Sequence, residues 1–236
     1  MLNISEKSTL NQEEYLKILS IIAHNVKGPV KYMQYVTDYT ISHWAKMEPK
    51  NLLDCANAIN TSSRRISEQL VNIMNWARIQ DGSFNPDKRK FNINHSIKDE
   101  LKLHKAFLKI KKIKIEKDFS PKLTVSSDEN IFHLAFHNII ANAIKFSTRD
   151  SKIIVSTKLI NNQVLVTVQD FGVGMNPEEL SLIYNNKSFS NPGTVEEQGS
   201  GFGLKIAKDL ISLLGGDIEI DSEKNKGTTV TLCLPA

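Results

Sequence analysis

Apolar residues recur at helical spacing through the first third of the chain. Tyr15, Leu19, Ile22, Val26, Pro29, Met33 and Val36 follow steps of 4, 3, 4, 3, 4 and 3, and Leu52, Ala56, Ile59, Ser63, Ile66, Leu70, Ile73 and Ala77 repeat that alternation. A period of about 3.5 residues marks a seam that packs against other helices, and the break at Glu48-Pro49-Lys50 predicts an antiparallel helical hairpin. Two helices leave such a seam half covered. A second copy would close it as a four-helix bundle, so a homodimer through the hairpin is expected. Trp44 and Trp76 fall on the hairpin helices and are expected to pack there.

The pattern changes after Asp81-Gly82-Ser83, with Pro86 just beyond. Gly stops a helix and Pro prevents its resumption, which places a hairpin domain at 1–81, a linker at 82–90 and a second domain at 91–236. In that domain the sequence predicts a helix capped by Asn94 and running to Lys111, then an alternating strand at Lys112 to Phe119. A helix from Asp128 to Phe146 follows, then strands at Ile153–Leu159 and Val164–Gln169. Asn176-Pro177-Glu178 opens a short helix, a Ser/Asn/Gly-rich loop leads to a helix from Phe202 to Leu214, and two strands close the chain after Gly215-Gly216. Helices mixed with hairpin-like strands argue an α+β two-layer sandwich with helices on one face of the sheet.

Composition narrows the class. At 236 residues, 40% hydrophobic and 24% charged, the chain has ordinary globular usage and length for two cores. No run approaches the roughly 18 apolar residues that span a bilayer, and MLNISEKSTL lacks the order of a signal peptide, so a cytoplasmic chain is expected, whole or as the cytoplasmic portion of a longer membrane protein. The net charge of +4 is too mild to imply nucleic acid, yet its sign suits an anionic ligand such as a nucleotide. Lys105, Lys109, Lys111, Lys112, Lys114 and Lys117 read as a solvated basic face. Cys55 and Cys233 stand in no metal-like spacing and read as reduced packing residues. His133 and His137 are one helical turn apart, but no acidic third ligand lies at useful spacing in the sequence, so no metal pair is expected there.

Three segments carry chemistry. Asn138, Asn142 and Lys145 form one polar stripe on an otherwise apolar helix, where amide oxygens and an ammonium suit a metal ion and phosphates. After the strand Val164 to Val168 comes Asp170-Phe171-Gly172-Val173-Gly174-Met175: a carboxylate at a strand end accepts from an exocyclic amine, and the glycines let a flat ring approach the backbone. Gly199-Ser200-Gly201-Phe202-Gly203-Leu204 ends a long loop and opens a helix, whose N–H groups and dipole favour phosphate.

Each segment alone is weak; their order, followed by Lys226-Gly227-Thr228, is specific and resembles the GHKL ATP-binding fold of histidine kinases, type II topoisomerases, mismatch-repair ATPases and ninety-kilodalton heat-shock chaperones. The resemblance covers roughly residues 90–235. It implies ATP and Mg²⁺ as cofactors, with Asn138 as the metal ligand, Asn142 and Lys145 on phosphates, and Asp170 on the adenine amine. Gly172 and Gly174 would border the adenine, and Thr228 would support its recognition. Lys187 to Gly203 would be the ATP lid, with Phe189 as its aromatic and Gly199, Gly201 and Gly203 as its last box, and Phe202 and Leu204 would join these in binding the nucleotide.

Ile21 to Pro29 resembles the phosphoacceptor box of histidine kinases, and the whole chain resembles a sensor histidine kinase catalytic core with a HisKA-type hairpin. His24 falls at an outward heptad position, and neutral imidazole is a competent phosphoryl acceptor near pH 7. Pro29 cannot donate to the carbonyl of Asn25, so a kink is expected past His24. The resemblance implies autophosphorylation of His24, with Asn25, Asn142 and Lys145 assisting, and transfer to an Asp of a response-regulator receiver domain. Two positions depart from the family pattern. Asn25 stands where Asp or Glu is usual and offers no charge, and Gly28 stands where phosphatase-active members carry Thr or Asn. The competing reading is a non-catalytic, ATP-responsive dimeric scaffold.

Overall fold

The computed structural model describes residues 12–80, 86–184, 194 and 203–236; the side chains of 12–25 and of several positions between 65 and 80 lie outside that description. The chain divides into two compact units, Met1–Ser83 and Phe84–Ala236.

In the first unit α1 (Gln12–His43) and α2 (Pro49–Gln80) pack as a hairpin joined through a 3₁₀ turn at Trp44–Lys46. The reversal thus begins before Glu48. Pro49 opens α2, where its missing N–H costs no helical bond, and α1 continues through Pro29. Val36 is buried on α1 and Ser62 on α2, whereas the predicted seam residues Ala56, Ser63 and Leu70 are exposed. Contact within the hairpin follows Leu52, Cys55, Ile59, Ser62 and Ile66, one edge of a wider apolar face. Tyr32, Tyr35, Leu53, Leu70, Val71 and Met74 stay exposed on the hairpin. Trp44 does not pack: it lies in the 3₁₀ turn past the end of α1 and is 68% exposed. The side chain of Trp76 is outside the described residues.

The second unit runs β1 (Arg89–Asn92), α3 (Ile93–Leu103), α4 (Lys105–Lys111), β2 (Lys114–Phe119), β3 (Thr124–Ser127), α5 (Glu129–Phe146), β4 (Lys152–Ile160), β5 (Gln163–Asp170), α6 (Pro177–Tyr184), α7 (Gly203–Leu213), β6 (Asp217–Glu223) and β7 (Gly227–Pro235). Five strands form one sheet in the order β2-β4-β5-β7-β6, while β1 and β3 pair separately. β2 and β4 are parallel, with α5 in the connection between them, and the other neighbours in the sheet are antiparallel. Alternate residues point to the helical layer: Ile153 and Val155 on β4, Val164, Val166 and Val168 on β5, and Leu232 and Leu234 on β7 are all buried. Phe132 and Phe136 of α5 stack 5.8 Å apart beneath them, with Phe91 5.9 Å from Phe132. The α+β sandwich is therefore the observed fold.

Two local expectations are corrected. The helix predicted from Asn94 to Lys111 is two helices, because the backbone breaks at His104. Its cap is Asn92, whose side chain accepts from the N–H of His95. Asn94 is instead buried, donating to Ser120 O at 2.7 Å and accepting from Thr157 Oγ1 at 2.8 Å. Cys55 and Cys233 are both free and half-buried.

Candidate functional site

Helix α5 organises the site. Asp128 caps it by accepting from the N–H groups of Asn130 and Ile131, and its apolar residues fix its rotation against the sheet. That rotation leaves Asn138, Asn142 and Lys145 on one stripe. Asn138 is buried, and its Nδ2 donates to Leu134 O at 2.8 Å, which turns Oδ1 outward from the helix backbone. Gly203, the first residue of α7, lies against this stripe: a Cβ there would stand 3.3 Å from both Asn138 Oδ1 and Asn142 Nδ2. Glycine thus lets the start of α7 approach the two amides, and Leu204 follows half-buried in its first turn. The Lys145 ammonium lies 4.5 Å from the ring centre of Phe146.

The C-terminal end of α5 meets the loop after β5. The N–H of Val173 donates to Phe146 O, and a Cβ on Gly172 would come within 2.1 Å of that oxygen. No side chain fits at Gly172. Gly174 has φ +56°, and a Cβ there would stand 1.9 Å from Glu223 O. Met175 donates through its N–H to Ser222 Oγ, and Ser222 Oγ lies 2.9 Å from Thr228 Oγ1. Asn176 and Glu179 then cap α6 reciprocally, each side chain accepting from the other's backbone N–H.

Asp170, the last residue of β5, stands where this loop begins and is only 6% exposed. Its Oδ1 accepts from the N–H of Gly172 at 2.9 Å and from that of Thr228 at 3.3 Å. Burial pushes its carboxyl up to about 6, against the opposing pull of those two N–H groups. Among the described residues no backbone N–H reaches its second oxygen, and a buried carboxylate so placed suits a ligand amine.

The structure therefore brings Asn138, Asn142 and Gly203 together, and gathers Asp170, Gly172, Gly174 and Thr228 at the adjoining end of α5. Phe189, Gly199, Gly201 and Phe202 lie outside the described residues, as do the side chains of His24 and Asn25, whose backbone is helical on α1. Gly28 is helical, with open space where a Cβ would stand.

Sequence reasoning missed Lys111. Far from being on a solvated face, it is buried, because it continues the inward-facing side of α4 begun by Leu108. Its ammonium donates to Ile144 O, Lys145 O and Thr194 Oγ1 at 2.9, 2.7 and 2.8 Å. It thereby caps α5 and ties the one described residue between 184 and 203 to that helix end. The hydroxyl of Thr194 also donates to Ser147 O at 2.7 Å. Ser222 was missed as well, since a lone serine in a strand carries no signal.

Residues 127–236 match the family described as "Histidine kinase-, DNA gyrase B-, and HSP90-like ATPase". The chain is 27% identical over 235 residues to the signal transduction histidine-protein kinase ArlS of Staphylococcus aureus strain USA300, an alignment covering 97% of this chain and 50% of ArlS. It spans about half the length of the curated relatives it matches. In fold it is similar to Acinetobacter baumannii histidine kinase AdeS, at 17% identity and TM-score 0.71, covering 90% of this chain and 97% of the other. It is also similar to histidine kinase ThkA, solved in complex with response regulator protein TrrA, at 19% identity and TM-score 0.72, covering 95% and 64%.

Proposed function

Since the chain is built as a sensor histidine kinase catalytic core, with a histidine kinase-, DNA gyrase B- and HSP90-like ATPase domain at residues 127–236, we propose that it phosphorylates its own His24 from ATP and passes the group to a receiver-domain aspartate. The observation that carries this reading is Asp170, buried at a strand end with two backbone N–H groups on one oxygen, beside glycines that no side chain could replace. In this reading the second oxygen accepts from the adenine amine, and the Gly172 and Gly174 backbone borders the ring. Thr228 supports Asp170 through its N–H. Phe189 and the segment Gly199 to Leu204 cover the phosphates, which Asn142 and Lys145 contact.

Asn138 fits the metal role on its own geometry: its Nδ2 is tied to Leu134 O, so the oxygen is the end presented, and Mg²⁺ prefers hard oxygen donors. Bound Mg²⁺ would supply charge neutralisation on the phosphates. An imidazole nitrogen of His24 attacks the γ-phosphorus in line; the N–P bond forms as the bond to the β-phosphate oxygen breaks, and ADP departs. Asn25 orients the ring through its amide without adding charge. Phosphohistidine then gives its phosphoryl group to a carboxylate oxygen of the receiver and is restored to imidazole.

The hairpin serves as phosphoacceptor and dimer interface, the apolar side chains left exposed on α1 and α2 being the surface a second copy covers. Among the described residues no helix is long and apolar enough to cross a membrane. Incubation with γ-labelled ATP tests the function. Acid-labile label on the protein supports the kinase, nucleotide binding without label supports the scaffold, and phosphate release without label would indicate an ATPase instead.

A further inference from the structure

His133 and His137, one turn apart on α5, meet the acidic partner that sequence spacing did not reveal. It comes from α3. Glu100 is buried, at 4% exposure, and three imidazoles surround its carboxylate. Its Oε1 lies 3.0 Å from His104 Nε2 and 2.7 Å from His137 Nδ1, and its Oε2 lies 3.4 Å from His133 Nδ1. The far nitrogen of His133 is held by Ser96 Oγ at 2.8 Å. The rings of His104 and His137 sit 5.1 Å apart, and the ligating atoms of Glu100, His104 and His137 all lie within 4.8 Å of one another.

This placement follows from helix geometry. Glu100 lies in α3 and His104, four residues on, is that helix's C-cap, while His133 and His137 are four apart on one face of α5, and the two pairs meet where α3 packs on α5. The break between α3 and α4 falls at His104 itself.

The geometry points to a divalent transition-metal site, of the kind that takes Zn²⁺, formed by Glu100, His104 and His137. Two imidazole nitrogens and one carboxylate oxygen are a donor set suited to Zn²⁺ or Co²⁺ and poorly suited to Mg²⁺ or Ca²⁺. Ligand bonds of about 2.0 to 2.2 Å in tetrahedral array hold donors roughly 3.3 Å apart, so the contacts to Glu100 now at 2.7 and 3.0 Å open by roughly 0.3 to 0.6 Å, and the two imidazole nitrogens, within 4.8 Å of one another, come to that same spacing. The His137 side chain is 48% exposed, which gives an ion an entry path and a solvent-facing fourth position. His133, bonded to the other oxygen of Glu100, is a positioning residue that orients the carboxylate. An ion held there clamps α3 to α5, the helix that also carries Asn138 and Asn142 on the side facing Gly203. Metal binding here does not depend on the proposed kinase activity.

The test is a Co²⁺ titration of the full chain, made without a polyhistidine tag and stripped with chelator. One equivalent should bind with the strong visible absorption of tetrahedral cobalt, Zn²⁺ should displace it, and the Tm should rise. His137→Ala, whose half-exposed position spares the fold, and Glu100→Gln should each weaken binding about 100-fold; His133→Ala should weaken it about tenfold. Asp170→Ala should leave it unchanged. The absence of a saturable cobalt spectrum, or a spectrum that survives the paired substitution His104→Ala and His137→Ala in a chain with native circular dichroism, overturns the site and leaves a hydrogen-bonded cluster only.

Discussion

Asp170→Asn should separate stability from nucleotide binding. In the folded chain burial raises the Asp170 carboxyl from 3.8 to about 6, so the folded state holds this proton more tightly than the unfolded state does. The resulting stabilisation is fully present below the unfolded value. It is lost as pH rises through about 6 and stays lost above. At about 1.36 kcal/mol per pH unit, the ionised group costs the folded state about 3 kcal/mol at pH ~8 and only about 1 kcal/mol at pH ~4.5. Asparagine does not ionise, and its Oδ1 can still accept from Gly172 and Thr228. Any fixed cost of burying its amide nitrogen is the same at both pH values. The stability difference between variant and wild type should therefore shift by about 2 kcal/mol in favour of asparagine from pH ~4.5 to ~8. Both tryptophans, Trp44 and Trp76, belong to the hairpin unit, so fluorescence would report on the wrong unit. Amide exchange of β5 and β7 during urea titration reads the right one. ATP affinity should fall roughly 10- to 100-fold in the same variant, because an amide nitrogen facing the adenine amine leaves two donors opposed. A stability difference that does not change with pH would refute the burial argument, and unaltered ATP affinity would remove Asp170 from the nucleotide site.

Other outcomes follow from the same geometry. Wild-type ATP affinity should decline as pH falls below about 6, where Asp170 gains a proton and ceases to accept; calorimetry across pH checks this. Lys111→Met should destabilise the Phe84–Ala236 unit by about 2 to 4 kcal/mol, since Ile144 O, Lys145 O and Thr194 Oγ1 all lose a donor, and exchange at the end of α5 should show it first. Asn25→Glu should label His24 faster at saturating ATP by supplying the missing charge; equal or slower labelling would place the limiting step elsewhere. Residues 84–236, cut from the hairpin near Ser83, should sediment as monomers that still bind ATP, and a dimeric fragment would contradict the hairpin interface.

Much of this molecule was legible in its sequence where one element carries a long periodic pattern and its own cap. Helix α5 shows both, with Asp128 at its start and Phe132, Phe136, Ile139 and Ile140 on one side, so the Asn138, Asn142 and Lys145 stripe could be placed before any fold was known. Strands β1 and β3 were not legible: each is four residues long with one buried apolar side chain, Phe91 or Val125, too little for alternation to register. The hairpin seam was legible only in its period: the side of α2 that turns inward is shifted by one position from the predicted one, so Ser62 is buried where Ser63 was expected and Ala56 and Leu70 are exposed. Lys111 and Glu100 escaped for a common reason. Apart from His104, four residues beyond Glu100, their partners lie on other elements, Ile144 and Thr194 for the lysine, His133 and His137 for the glutamate, and tertiary contact makes the buried charge tolerable.

If nucleotide bound to the second unit phosphorylates His24, the phosphoryl group must be found there: the full chain is incubated with γ-labelled ATP and digested under neutral conditions, and the modified residue is mapped by mass spectrometry beside a His24→Gln chain with unchanged ATP affinity. One acid-labile phosphate should appear on His24, transferable to a receiver aspartate and absent from the variant. Label persisting in the His24→Gln chain, or wild-type chain that binds ATP and remains unmodified, would contradict it.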